Sequence, residues 1–220
     1  MVKLMEQWIR TDEGEDVAGS IRHALRCFGV AAHDDQEWKW AALALHAALQ
    51  GSCICHLVTT ASPVGAVTER NAGEWLRYFE ALRSNPSALP PQTYLMILPD
   101  LLKKIRKPHS AGDGSNKAGI SVSDQDLAWL RRFHETIRNQ FIHFEPVGWS
   151  LEVCGLRDLA RLIARIITEV LNVGWAFRHK DQAWQRELAA NLLLLAFPGE
   201  RDANGALWVT FLRGHRNCSA

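Results

Sequence analysis

Apolar residues recur in steps of three and four over most of the chain, the period of helices that each bury one face. Leu127, Leu130, Phe133, Ile137, Phe141 and Phe144 predict an amphipathic helix that starts at a Ser121 or Ser123 cap. Val17, Ile21, Ala24, Leu25 and Phe28 predict a helix over 16–30, closed by Gly29. Residues 38–57, introduced by the acidic run 34–37, are apolar almost all round, which marks a helix at the centre of a bundle. Trp75, Leu76, Phe79 and Leu82 predict a buried face over 71–82. Leu95, Leu98, Leu101, Leu102 and Ile105 predict a helix over 92–105 that Pro99 kinks or divides. Two further helices are expected over 156–177 and 182–195. Residues 149–153 look short and extended, and 207–211 fit a strand or one more helical turn.

The fold class expected is therefore all-α, an antiparallel helical bundle with accessory N- and C-terminal segments. Its parts are an N-terminal helical appendage (1–33), the bundle (34–198) and a tail (199–220). Residues 109–119, rich in Gly, Ser, Asn and Asp, read as a mobile loop.

Composition narrows the function classes. Hydrophobic residues make up 47% and charged ones 22%, enough to bury a core and too apolar for disorder. Lys and Arg number 25 against 24 Asp and Glu, so any nucleic-acid contact must come from a local patch. Residues 1–15 are charged, and no apolar stretch reads as long enough for a bilayer; no membrane partner is expected. Five scattered cysteines fit reduced thiols in the cytoplasm. There is no Gly-rich phosphate loop, nucleophile elbow or His-Glu-x-x-His pattern, and no metal or other cofactor is expected.

The concentrated polar chemistry lies opposite the apolar face of the 127–144 helix: His134, Glu135, Arg138, Asn139 and His143. Arg138-Asn139-Gln140-Phe141-Ile142-His143 has the form Arg, polar residue, three residues, His. It resembles the signature of the HEPN superfamily, all-α domains found in prokaryotic toxins, defence systems and RNA-processing factors. The architectural resemblance spans about 34–197, and its sequence part is this one motif. Where toxins paired with nucleotidyltransferases carry a Tyr two residues after the His, this chain has Glu145.

The resemblance implies a metal-independent endoribonuclease, a homodimer whose two motifs face each other, RNA as substrate and an antitoxin as a possible partner. In such a site His143 would serve as general acid or base toward a ribose 2′-OH, and Arg138 would hold the phosphate. Asn139 would orient His143 or touch RNA, and Glu135 would position Arg138. In a regular helix Arg138 and His143 point about 140° apart, so convergence needs a distorted last turn before Pro146 or a second copy of the chain. From spacing alone the same residues also read as a surface ion pair, a tethered turn and a half-buried histidine. A non-catalytic HEPN-like binding or scaffold domain is the alternative, and an unrelated bundle with a chance motif a third.

His46 and Gln50 share one face of the central helix and either line the site or bond across the bundle. Lys103 and Lys104 open a basic run that can track RNA phosphates, or that suits the negative end of a helix dipole. Cys53-Ile54-Cys55-His56 lacks a second Cys/His pair at zinc spacing and reads as core. Arg157, Arg161 and Arg165 form a solvated row.

Overall fold

The computed structural model describes residues 9, 11–60, 63–143 and 152–197, with only the backbone of His143. Residues 1–8 of the N-terminal appendage, the Pro146 turn, residues 149–151 of the extended stretch and the tail after residue 197 lie outside the described residues.

The described fold is all-helical. Its elements are α1 (Glu13–Val30), α2 (Glu37–Leu57), α3 (Glu69–Leu82), α4 (Leu98–Ile105), α5 (Asp124–Arg132), a π-helical segment (Phe133–Arg138), α6 (Asn139–His143), α7 (Cys154–Val173) and α8 (Gln182–Ala196). The starts are chemically specified. Asp12 caps α1 by accepting from the Glu15 amide, and Asp181 caps α8 by accepting from the Trp184 amide. Ser123 and Asp126 exchange hydrogen bonds in a capping box that starts α5. Gly174, at φ 83°, closes α7 in the left-handed region that favours glycine.

α2 is central. It packs against α1, α4, α7 and the π-helical segment. Phe28, late in α1, meets Trp38, early in α2, with ring centroids 5.8 Å apart. Val17, early in α1, lies against Gly51, late in α2, where a Cβ would stand 2.8 Å from it. Val17, Ile21, Ala24 and Phe28 thus enter the same apolar core as α2, although the sequence sets 1–33 apart as an appendage. α2 also corrects the expectation that no stretch is long enough for a bilayer. Among the described residues it alone has the length and hydropathy to cross one, and 72% of that window is buried inside the fold.

Three other expectations change. Residues 92–97 are extended: Val67 and Leu95 form an isolated antiparallel bridge, and Pro99 sits in the first turn of α4, where its missing N–H costs nothing. α3 does not bury the face predicted for it. Only Asn71 of α3 is buried, and Leu76 is 51% exposed. Asn71 instead ties the helix to the extended segment, donating to the Gln92 carbonyl and accepting from the Tyr94 amide.

The loop expected to be mobile is pinned. Ser110 donates to the Ile105 carbonyl, Asn116 donates to Ser110, and fully buried His56 lies 3.1 Å from the Ser110 hydroxyl. Gly119, at φ 74°, passes so close to Arg106 that a Cβ would stand 2.2 Å from its carbonyl oxygen. Gly119→Ala is therefore expected to cost about 2 kcal/mol in a urea titration. Unchanged stability would contradict this packing.

The arginine row has structural work. Arg165 donates to the Ser121 carbonyl and to Asp126, tying α7 to the start of α5, and Arg161 donates to the Ala196 carbonyl at the end of α8.

Candidate functional site

The motif helix is not regular. From Phe133 to Arg138 its hydrogen bonds run in π fashion, a widened turn that is rare in helices and common where a fold needs an unusual side-chain placement. Here it turns two consecutive residues inward. Phe133 fills the core at 0% exposed, and His134 is 9% exposed, contrary to its expected place on the polar face.

His134 meets His46 of α2. The rings stack with centroids 5.1 Å apart, and His46 Nε2 lies 2.8 Å from His134 Nδ1. One ring donates and the other accepts, so at least one is neutral. Burial, then His134 and Arg138, push the His46 pKa down to about 3. Burial and then Arg138 lower His134, against a smaller opposing pull from Glu135. Near neutral pH His46 is a neutral hydrogen-bonding group rather than an acid.

Arg138 ends the π-helical segment. Its Nη1 donates to Asn139 Oδ1 at 2.9 Å, and its Nε is buried without a partner among the described residues. Glu135 is exposed, and among the described residues Arg138 bonds Asn139 and not Glu135. α-Helical geometry resumes over Asn139–His143. The distortion therefore ends at Arg138, and the backbone from Asn139 to His143 is regular α-helix.

Arg138 and Ile142 form one wall of an open groove of about 690 Å³. Leu43, His46, Ala47, Gln50, Gly51 and Ile54 of α2 make its floor, and Thr11, Asp12, Glu13 and Asp16 make the opposite wall. His46 and Gln50 therefore both line the groove, and His46 also bonds across the helices. Nothing in the sequence marks the acidic wall as part of a site. Acids in a first turn are explained by the helix dipole, and only the tertiary fold sets them opposite Arg138.

Other candidates lie elsewhere. Lys103 pairs with Asp100 at 2.8 Å, and burial followed by Lys107 lowers half-buried Lys104; neither lines the groove. Cys53 and Cys55 are buried in the core, where burial pushes both thiols up, Cys55 to about 12. Near the start of α1, Lys180 bonds Asp12 and Glu15 at 2.8 and 2.7 Å, which leaves Glu13 and Asp16 without an ion pair among the described residues.

Comparison with protein-family models, with curated proteins and with solved structures gives no match.

Proposed function

We propose that the chain is a HEPN-type endoribonuclease, cytoplasmic and dimeric, that cleaves RNA without a metal and serves in a toxin or defence role. The observation that carries this reading is Arg138. Its guanidinium is tethered to Asn139, has a buried unpartnered Nε, and lines an open groove instead of a closed core. A guanidinium in such a place can hold a phosphate bidentately and stabilise charge as a ribose 2′-OH attacks. His143 supplies the acid–base step. An antiparallel HEPN-like bundle agrees with the pairing of Phe28 with Trp38 and of Val17 with Gly51 at opposite ends of α1 and α2.

The helix geometry supports the dimer. With no distortion between Arg138 and His143, a facing copy is what brings an Arg and a His from two chains to one phosphate. An antitoxin would then be a partner that covers the groove or separates the copies.

A second reading, a non-catalytic binding module, is favoured by the acidic wall, since Asp12, Glu13 and Asp16 repel a phosphate chain passing over them. Mixed RNA incubated in EDTA separates the two. Wild type is expected to cleave it, Arg138→Ala about a hundredfold more slowly and His143→Ala at background. Equal background cleavage by all three proteins would leave the binding module.

A further inference from the structure

The groove carries opposite charge on its two walls. Arg138 lines one, and Glu13 and Asp16 at the start of α1 line the other, with α2 between the two elements. These two acids lie three residues apart in the first turn of α1 and so share a face. Lys180 occupies Asp12 and Glu15, while Glu13 and Asp16 are exposed, line the groove and have no ion pair among the described residues. Between the walls lies the half-buried amide of Gln50, over Ala47 and Ile54.

The two ends sit at different levels of α2. Arg138 lies beside the His46–His134 pair, whose charge balance it perturbs. The first turn of α1 lies over Gly51, where the Glu13 carbonyl is 3.9 Å from the position of a Cβ. His46 and Gly51 are separated by about 7.5 Å of helical rise, the scale of the step from a nucleotide's phosphate to its base.

We propose that this groove seats one guanosine nucleotide of an RNA strand, with its phosphate on Arg138 and its base edge on Glu13 and Asp16. The assignment rests on the RNA-cleaving reading and adds base selectivity to it. The chemistry singles out guanine. A carboxylate only accepts hydrogen bonds, and guanine offers two adjacent donors on its pairing edge, N1–H and N2–H₂. Adenine and cytosine place a donor beside an acceptor, and uracil flanks its one donor with two acceptors, so each sets a lone pair against the carboxylate. The Gln50 amide can donate to guanine O6. Ala47 and Ile54 supply an apolar floor under the sugar and ring. The acidic wall, which opposes a phosphate chain, then has a use, because it meets the base end of the ligand.

The test is calorimetric binding of guanosine, adenosine, cytidine and uridine 3′-monophosphates to the full chain in EDTA, with cleavage positions mapped in parallel on RNA. Guanosine monophosphate is expected to bind at least about tenfold more tightly than the other three. The double variant Glu13→Gln/Asp16→Asn, checked for an unchanged melting temperature, should lose that preference, and Arg138→Gln should weaken all four. Equal affinities, no binding of any nucleotide, or a double variant that keeps the preference would overturn the assignment. RNA cleavage without a preference for guanosine would likewise overturn it and leave the nuclease standing. Selective guanosine binding with no cleavage would support the assignment and remove the nuclease.

Discussion

Acidification from about pH 7 to about pH 4.5 is expected to remove about 5 kcal/mol of folding stability, a large share of the roughly 5–15 kcal/mol that a folded protein has. The cause is the buried imidazoles. His46 is 5% exposed and His56 is 0% exposed. Burial, then His134 and Arg138, hold His46 at about 3, and burial holds His56 at about 4 against a smaller upward pull from Asp113. In the unfolded chain both titrate at the ordinary value of about 6.5. Below that value the unfolded state binds protons that the fold refuses, so stability falls as pH falls until the folded-state values are reached. At about pH 4.5 each group has removed roughly 2 to 3 kcal/mol. His134, lowered in the same direction, adds to the loss.

Lowered Asp12 and Glu15 act with the same sign. The hydrogen bond from Lys180 is the main cause for each, and their contribution is lost as pH falls through their folded values. Far-UV circular dichroism during a pH titration, with urea midpoints at each pH, measures the effect. A midpoint unchanged between the two conditions would mean that His46 and His56 are not buried as described.

The second large effect is at Phe133. Its ring is 0% exposed, lies 5.9 Å from the His46 ring, and begins the π-helical segment. Phe133→Ala should cost about 4 kcal/mol, from lost apolar transfer and from a cavity that packed helices cannot close. It also removes the side chain that shields the histidine pair, so the low pKa of His46 should move up toward its ordinary value. Phe141→Ala, on the same helix but half-buried, should cost clearly less. A Phe133→Ala loss no larger than that of Phe141→Ala would contradict the account of the π-helical turn. Nuclear magnetic resonance titration of the imidazole carbons reads the pKa, and urea unfolding reads the stability.

Much of the helix map was legible because burial leaves a periodic trace. Val17, Ile21, Ala24 and Phe28, like Leu159, Leu162, Ile163, Ile166, Ile167 and Val170, fall on helical spacing and are buried as their spacing predicts. The Ser123 cap was legible because its acidic first turn follows it. What was not legible depends on three dimensions. α3 has the periodicity of a packed helix, but among the described residues no long helix packs closely against it, and Leu76 stays exposed. Pro99 reads as a break, and only the bridge between Val67 and Leu95 shows that the chain before it is extended.

The site divides in the same way. Arg138, Asn139, His46 and Gln50 could be singled out as residues of the right chemistry at helical spacing. The π-helical turn could not, because a widened turn leaves the sequence period almost intact while it rotates His134 from the polar face into the core. The acidic wall could not either, since Glu13 and Asp16 carry only the ordinary mark of a helix start.

The central claim is that Arg138 serves attack by a ribose 2′-OH on the adjoining phosphate. The direct measurement is end-group analysis of RNA incubated with the purified protein in EDTA. The account predicts fragments ending in 2′,3′-cyclic phosphate and beginning with 5′-hydroxyl, formed by wild type and reduced about a hundredfold by Arg138→Gln at unchanged melting temperature. Fragments with 5′-phosphate ends, or cyclic ends that form equally fast with Arg138→Gln, would contradict it.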